Sequence, residues 1–100
     1  MDRYAGKPFL RLLECYVLAA IGELSEEQQA TLRAMEPKLH EVYGTSGSWQ
    51  AVIEAQMAFP ANVADKIRDI WRTNAEKFAS AGIPINAEDF AQNFVDTNFP

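Results

Sequence analysis

A length of 100 residues, with 48% hydrophobic and 23% charged residues, is typical of one soluble domain and argues against a disordered chain. The net charge of −5 comes without a basic stripe, which argues against a nucleic-acid partner, because phosphates need clustered lysine and arginine. The acidic balance also disfavours anionic membrane surfaces, and the longest apolar run, residues 17–21, is far shorter than the about 20 residues of a membrane span. We therefore expect no nucleic acid and no membrane among the partners.

The cysteine count and the first residues bear on the compartment. Cys15 is the only cysteine, so an internal disulfide bond is impossible, which fits a reducing compartment. The first residues are polar and show no signal-peptide pattern. We therefore expect a cytoplasmic protein in which residues 1–100 form a single domain.

The first periodic segment predicts a helix over residues 8–21. Pro8 suits the first helical position, where its missing N–H is not needed, and Gly22 ends the segment. Apolar residues cover most of the helical wheel and leave only one narrow, partly polar stripe, formed by Arg11, Glu14, Cys15 and Leu18. A helix this apolar is typical of the centre of a bundle. The alternative is that one of its apolar sides forms a dimer interface.

A capping box marks the start of the second helix. Ser25 and Gln28 have the spacing at which each side chain bonds a free backbone N–H of the other. The helix is predicted over residues 26–43, with one apolar face formed by Leu32, Met35, Leu39 and Val42. Pro37 interrupts it, since a proline removes one helical hydrogen bond and crowds the preceding turn. The sequence predicts either one kinked helix or two helices that meet near residues 35–36.

A loop rich in glycine and serine precedes the third helix. Residues 44–48 have a loop composition, and Ser48 or Ser46 is suited to cap a helix over residues 48–58. Phe59, next to a proline, follows the end of this helix. The predicted inward side consists of Trp49, Val52, Ile53 and Met57.

The fourth and fifth helices are predicted over residues 62–80 and 86–97. Asn62 and Asn86 are suited to the N-cap positions, and Gly82 fits the left-handed residue after the fourth helix. The apolar stripe of the fourth helix recurs at helical spacing and consists of Val63, Ile67, Ile70, Trp71, Asn74 and Phe78. The predicted buried side of the fifth consists of Phe90, Ala91, Phe94 and Val95. Together the segments predict an all-α fold, a compact single-domain bundle of four to five helices.

Few residues are available for metal binding or catalysis. One histidine and one cysteine, far apart in sequence, do not supply a metal site, so we expect no metal and no cofactor. His40 lies four residues after Glu36, which is the spacing of a surface pair on a helix. Cys15 lies within a helix, and only Arg11, four residues earlier, is placed to activate it. We therefore expect no enzyme and no catalytic residue, with Cys15 and His40 as the exceptions to consider.

The loop of residues 44–48 is the strongest candidate for a ligand site. Small, flexible residues just before a helix N-terminus have the geometry that holds phosphate or another anion. The loop lacks the lysine and the spacing of a P-loop, so a simple capped connection is the competing interpretation. The candidate ligand or partner contacts are Gly44, Thr45, Ser46, Gly47, Ser48, Trp49, Phe59 and Phe99. Phe99, at the end of an acidic segment, is either packed against the helices or offered to a partner.

Two functional hypotheses follow from these patterns. The first is a small acidic module for protein–protein interaction, an adaptor, regulator or inhibitor of a basic partner, with a homodimer as one option. The negative charge, the missing catalytic set and the amount of apolar helix surface motivate it. The second is a small-molecule or anion binder, with a pocket lined by Trp49, Trp71 and Met57 and an anion at residues 44–48.

Overall fold

The chain folds into five α-helices over residues 8–98, which are the residues that the structure, a computed structural model, describes. The helices are α1 (Pro8–Ala20), α2 (Glu26–Tyr43), α3 (Trp49–Met57), α4 (Val63–Ser80) and α5 (Ala87–Asn98). No strand occurs in this part of the chain, so the all-α prediction is confirmed. The observed ends of the helices differ from the predicted ones by at most one residue.

The described residues divide into two compact units. α1, α4 and α5 form one unit, from residues 8–23 and 62–98, which we call the α1/α4/α5 unit. α2 and α3 form the other, from residues 24–61, which we call the α2/α3 unit. That residues 1–100 make a single domain stays a prediction.

α1 is the central helix of the α1/α4/α5 unit, because it contacts both α4 and α5. Leu13, Tyr16 and Val17 are at most 3% exposed, as the predicted apolar wheel requires. Leu18, which the sequence placed on the polar stripe, is also buried, since neighbouring helices cover two sides of α1. The helix ends before Gly22, whose φ of +75° is the left-handed conformation that favours glycine. Among residues 9–20 of α1 no large hydrophobic side chain is exposed, although Phe9 and Leu10 are only half-buried, and the alternative of a dimer interface on this helix stays a prediction.

α4 is joined to α1 by a side-chain hydrogen bond as well as by packing. Arg68 Nε donates a 3.1 Å hydrogen bond to the carbonyl oxygen of Ala20, in the last turn of α1, where carbonyls lack helical partners. Asn62 stands at the N-cap position of α4, but its side chain makes no capping hydrogen bond, contrary to prediction. Its φ of −108° and ψ of 18° lie outside the extended region that aims a capping side chain at the free N–H groups.

α5 covers a second side of α1. Ala91 and Val95 are fully buried, which confirms the centre of the predicted apolar side. Asn86 caps the helix as predicted, because its Oδ1 accepts a 3.1 Å hydrogen bond from the backbone N–H of Asp89. This bond satisfies one of the N–H groups that the first helical turn leaves free, so the start of α5 is fixed by local chemistry.

α2 is one continuous helix through Pro37, so the alternative of two separate helices is wrong. Its N-terminus carries the predicted capping box of Ser25 and Gln28. Leu32 and Leu39, before and after the proline, are each 5% exposed. Burial of a leucine side chain is worth about 1.5–3 kcal/mol, so keeping both buried offsets the about 3 kcal/mol that an internal proline costs.

The apolar face of α2 is covered only in part. Met35 is 39% exposed and Val42 is 59% exposed, although the sequence placed both on the buried side. At about 100° per residue they lie on one edge of the stripe that Leu32 and Leu39 centre. Within this unit α2 contacts α3, and this contact covers only part of the apolar stripe. The buried part of the stripe is therefore narrower than its apolar part. In α3, by contrast, Trp49, Val52 and Ile53 are at most 2% exposed, and Met57 is half-buried.

Candidate functional site

The loop between α2 and α3 begins with a left-handed glycine. Gly44 has φ +65°, and its N–H donates a 2.8 Å hydrogen bond to the carbonyl oxygen of His40. The N–H of Thr45 donates to the same carbonyl over 3.3 Å. The last turn of α2 is therefore closed by the loop's own backbone, which leaves these two N–H groups unavailable to a ligand.

The side chain of His40 ties the loop back to α2. Its Nε2 lies 2.6 Å from the carbonyl oxygen of Gly47, and a carbonyl only accepts, so Nε2 carries the hydrogen. Gly47 has φ +92°, which a larger residue rarely adopts. A Cβ at this position would also lie 3.4 Å from the Cβ of Ala51. Glycine is thus required at Gly47 by its backbone conformation, with no ligand needed to explain it.

The N-terminus of α3 already holds a carboxylate. Glu36 Oε2 accepts a 2.8 Å hydrogen bond from the backbone N–H of Trp49, the first residue of α3. Ser48 caps the helix, its Oγ accepting a 3.1 Å hydrogen bond from the N–H of Ala51. Because anions bind helix N-termini through these same N–H groups, Glu36 occupies the position that the anion hypothesis requires. An incoming anion would meet a negative charge there.

Glu36 and His40 do not form the surface pair that their spacing suggests. Both belong to the described part of the chain, and each bonds the loop or the start of α3 instead of the other. The pair is therefore a structural clamp on residues 44–49, not a carboxylate that orients an imidazole. The Oγ1 of Thr45 is buried in this loop without a hydrogen-bond partner.

Cys15 lies on α1 in the other unit and is half-buried. Burial raises the pKa of its thiol above the ordinary value of 9.0, the adjacent Glu14 carboxylate raises it further, and Arg11 lowers it. A raised pKa reduces the thiolate fraction at neutral pH, and the thiolate is the nucleophile. This environment is typical of an inert cysteine.

α4 carries a second candidate surface, which is apolar and only partly covered. Ile70 is 43% exposed and Phe78 is 38% exposed, whereas Ile67, on the same predicted stripe, is 2% exposed. Ile70 lies about 60° from Ile67 around the helix, and Phe78 lies about 12 Å beyond Ile70 along the axis and about 80° from it around the helix. The sequence placed all three on the buried side, so exposure of Ile70 and Phe78 is a correction.

The turn after α4 adds a third exposed apolar side chain to this surface. Gly82 has φ +71°, and the N–H of Ile83 donates a 2.9 Å hydrogen bond to the carbonyl oxygen of Phe78. In a helix end of this kind the two bonded residues usually bring their apolar side chains together. Ile83 is nevertheless 52% exposed. We call Ile70, Phe78 and Ile83 the α4 face.

Aromatic rings border the α4 face. Trp71, which follows Ile70, meets Phe90 of α5 edge to face, with ring centroids 5.1 Å apart. The ring centroids of Phe90 and Phe94 are 6.1 Å apart, and the three aromatic side chains are half-buried. Each such ring pair stabilises the fold by about 0.5–1.5 kcal/mol beyond the burial of its apolar area. The α4 face therefore lies beside a packed aromatic cluster.

The remaining predicted contacts fall in different places. Trp49 is 2% exposed, so its indole belongs to the core. Phe59 is half-buried, and its N–H donates a 3.0 Å hydrogen bond to the carbonyl oxygen of Glu54. Phe99 lies outside the described residues. The pocket hypothesis places Trp49 and Met57, which lie on α3, in one pocket with Trp71, which lies on α4. It stays a prediction.

Within residues 8–98, no group of three His, Cys, Asp or Glu side chains is placed to hold a metal ion. Among the helices of that range, none combines the length and the hydropathy that crossing a bilayer requires.

Comparison with protein-family models, curated proteins and solved structures found no match for this chain.

Proposed function

We propose that this chain is a protein–protein interaction module that binds its partner through the α4 face. The observation that carries the proposal is the exposure of three large apolar side chains, Ile70, Phe78 and Ile83, beside a packed aromatic cluster. Ile70 and Phe78 lie on one helix about 12 Å apart along its axis, and Ile83 is joined to Phe78 by a backbone hydrogen bond. Apolar groups exposed on one surface mark interaction sites more often than singly scattered ones do. A rigid aromatic neighbourhood also lowers the entropic cost of ordering a contact.

Two further observations support a binding role over catalysis or anion binding. The N–H of Trp49 at the start of α3 is already bonded to Glu36, which removes the most attractive feature of the loop for an anion. The thiol of Cys15 has a raised pKa, which opposes nucleophilic chemistry. We also propose a cytoplasmic location, supported by the single cysteine, which fits a reducing compartment.

The proposal is tested by comparing two pairs of exposed apolar residues. The wild type, the double variant Ile70→Ser/Phe78→Ser and the double variant Met35→Ser/Val42→Ser are used to capture partners from lysate of the source organism. Met35 and Val42, on α2, are 39% and 59% exposed, so they match the α4 pair in chemistry and exposure. Thermal unfolding of each variant first shows that it folds.

We expect the wild type and the α2 variant to retain one stoichiometric partner that the α4 variant loses. A hot-spot contact in an interface is worth about 2 kcal/mol or more, so loss of one of the two is already expected to weaken binding about 30-fold or more. Partner loss in the α2 variant alone would contradict the assignment to α4. Absence of any partner, with a monomeric mass measured by light scattering, would contradict the interaction function itself. A dimeric mass that depends on Ile70 and Phe78 would identify the partner as a second copy.

A further inference from the structure

Two lysines flank the α4 face without an ion-pair partner. Lys66 and Lys77 lie four residues before and seven residues after Ile70, within about 40° of it around the helix. Both are exposed, and neither forms an ion pair within residues 8–98. The Ile70 edge of the α4 face therefore carries two positive charges that no ion pair of the described residues neutralises, on a chain whose net charge is −5, while Phe78 lies about 80° from Ile70 on the side away from the lysines.

The opposite side of the same helix is arranged differently. Arg68 lies 2.9 Å from the carboxylate of Asp65, and Arg72 lies 3.5 Å from that of Asp69. These arginines are about 160° from Ile70, and no acidic residue of α4 lies closer than about 100° to it. The positive charges away from the apolar surface are thus neutralised within α4, while those beside it are left for another molecule.

We infer that the α4 face binds an acidic amphipathic helix of another protein, whose apolar side covers Ile70 and Phe78 and whose carboxylates meet Lys66 and Lys77. This inference rests on the proposed interaction function and specifies the partner's chemistry. Helices that bind in this way present apolar anchors at spacings of three, four and seven residues. Since Lys66 and Lys77 are eleven residues apart, about 16 Å along the axis, the partner's carboxylates are also about three turns apart.

A second copy of this chain fits the surface less well. If two α4 helices paired through Ile70 and Phe78, the acids of the second α4 would lie on its far side, away from the lysines. Charge complementarity therefore favours a different protein that brings its own carboxylates.

A synthetic peptide provides the probe. It is an 18-residue helix with leucines on one side and glutamates along both edges, including one pair eleven residues apart. A second peptide replaces every glutamate by glutamine, and a third replaces every leucine by serine. Binding of each labelled peptide to the full chain is followed by fluorescence anisotropy at low and at physiological salt.

The matched variants differ in where two positive charges are removed. Lys66→Gln/Lys77→Gln removes them beside the α4 face, and Arg33→Gln/Lys38→Gln removes them from exposed positions on α2. Both changes take the net charge from −5 to −7, so long-range charge effects are equal. We expect the first variant to bind the acidic peptide about three- to tenfold more weakly than wild type, the range for two surface ion pairs, and the second to change it by less than about twofold.

The acidic peptide is also expected to bind more tightly than either control peptide, and salt is expected to weaken it. Equal binding of the glutamate and glutamine peptides, or equal effects of the two variants, would overturn the inference. If a native partner is lost on Ile70→Ser/Phe78→Ser while the acidic peptide does not bind, the interaction function stands and the acidic partner does not. Binding of wild type to vesicles containing phosphatidylserine, weakened by Lys66→Gln/Lys77→Gln, would assign the lysines to a membrane surface and overturn the inference.

Discussion

The carboxylate of Glu36 accepts a 2.8 Å hydrogen bond from the backbone N–H of Trp49, which lies 13 residues later in the chain. Trp49 begins α3, so a side chain from the middle of α2 completes the N-terminus of the next helix. Ser48 supplies the local cap and Glu36 supplies the negative charge that the helix dipole favours. The two helices of this unit are therefore joined by a charged hydrogen bond as well as by apolar packing.

Removing this bond is expected to destabilise the chain. Glu36→Ala leaves the Trp49 N–H without its partner, and hydrogen bonds to charged groups contribute about 1.5–3 kcal/mol. Glu36→Gln retains a neutral acceptor, so it is expected to cost less than alanine. Urea unfolding measures both, with Glu41→Ala as control, because Glu41 is an exposed glutamate on the same helix. Equal stabilities of Glu36→Ala and Glu41→Ala would show that the bond contributes nothing.

The same variant tests whether Glu36 stands in place of an anion. With the carboxylate gone, the α3 N-terminus is open, and sulfate is expected to bind there and stabilise Glu36→Ala as its concentration rises. Sulfate also stabilises proteins in general, so the measured quantity is its effect on Glu36→Ala minus its effect on Glu41→Ala. A positive difference that saturates with sulfate is the expected result. No difference would show that the loop lacks anion affinity even when vacated.

Most features set by neighbouring residues were predictable from the sequence, with the failed cap by Asn62 as the exception. Ser25, Ser48 and Asn86 cap their helices as predicted, because a capping bond reaches only two or three residues along the chain. The link from Glu36 to Trp49 was missed, since a bond across 13 residues depends on how α2 and α3 pack. The only sequence signal was a glutamate one turn before His40, which suggested a different pairing.

The sequence also could not predict which part of an apolar stripe is exposed. Periodicity shows which side of a helix is apolar, but the neighbouring helices decide how much of that side is buried. Ile67 and Ile70 belong to one predicted stripe, yet their exposures are 2% and 43%. Leu18 shows the opposite error, because contacts of α1 with two helices bury a residue outside the predicted apolar side.

The bond from His40 to Gly47 is expected to act together with that of Glu36. His40→Ala removes the 2.6 Å hydrogen bond to the Gly47 carbonyl, at a cost of about 0.5–1.5 kcal/mol. Both side chains hold the same short loop, so once one bond is lost the other restrains a looser segment. The double variant is therefore expected to cost less than the sum of the single ones, by about 0.5 kcal/mol or more. Strict additivity in urea unfolding would show that the bonds act independently.

Ala58 is the one non-glycine residue of the described chain with a positive φ, and it offers a stabilising substitution. Its φ of 53° and ψ of 42° are left-handed, which costs an L-residue with a Cβ about 1–2 kcal/mol. Glycine removes this strain. It also gives the unfolded chain more conformational freedom, which lowers the stability of the fold by about 0.4–1 kcal/mol. Ala58→Gly is therefore expected to stabilise by about 0.5–1 kcal/mol.

The matched control for Ala58→Gly reverses the exchange at another helix end. Gly44→Ala places a Cβ on a residue with φ +65°, where no atom lies within 4 Å, so the change tests conformation without a clash. It is expected to destabilise by a similar amount, about 0.5–1 kcal/mol. Thermal unfolding of both variants gives the comparison. A lower melting temperature for Ala58→Gly would contradict the assigned strain.

The raised pKa of Cys15 predicts a loss of stability in alkali. Burial raises this pKa above the ordinary value of 9.0, with Glu14 adding to the effect and Arg11 opposing it. The folded chain therefore holds the thiol proton more tightly than the unfolded chain does, so stability falls as the pH rises above the unfolded pKa. The contribution is complete below about pH 8 and is lost as the pH rises through the folded pKa.

The variant Cys15→Ala isolates this contribution, because it differs from the wild type only by the missing thiol. The free energy of unfolding of wild type minus that of Cys15→Ala is expected to stay constant from about pH 6 to 8 and to fall as the pH rises above the ordinary thiol pKa of 9.0. Alkylation by iodoacetamide gives a second measurement, since only the thiolate reacts. At pH 8 Cys15 in the folded chain is expected to react more slowly than glutathione does. A difference in stability that does not fall as the pH rises above 9.0, together with a rate equal to glutathione's, would show that burial leaves the thiol unperturbed.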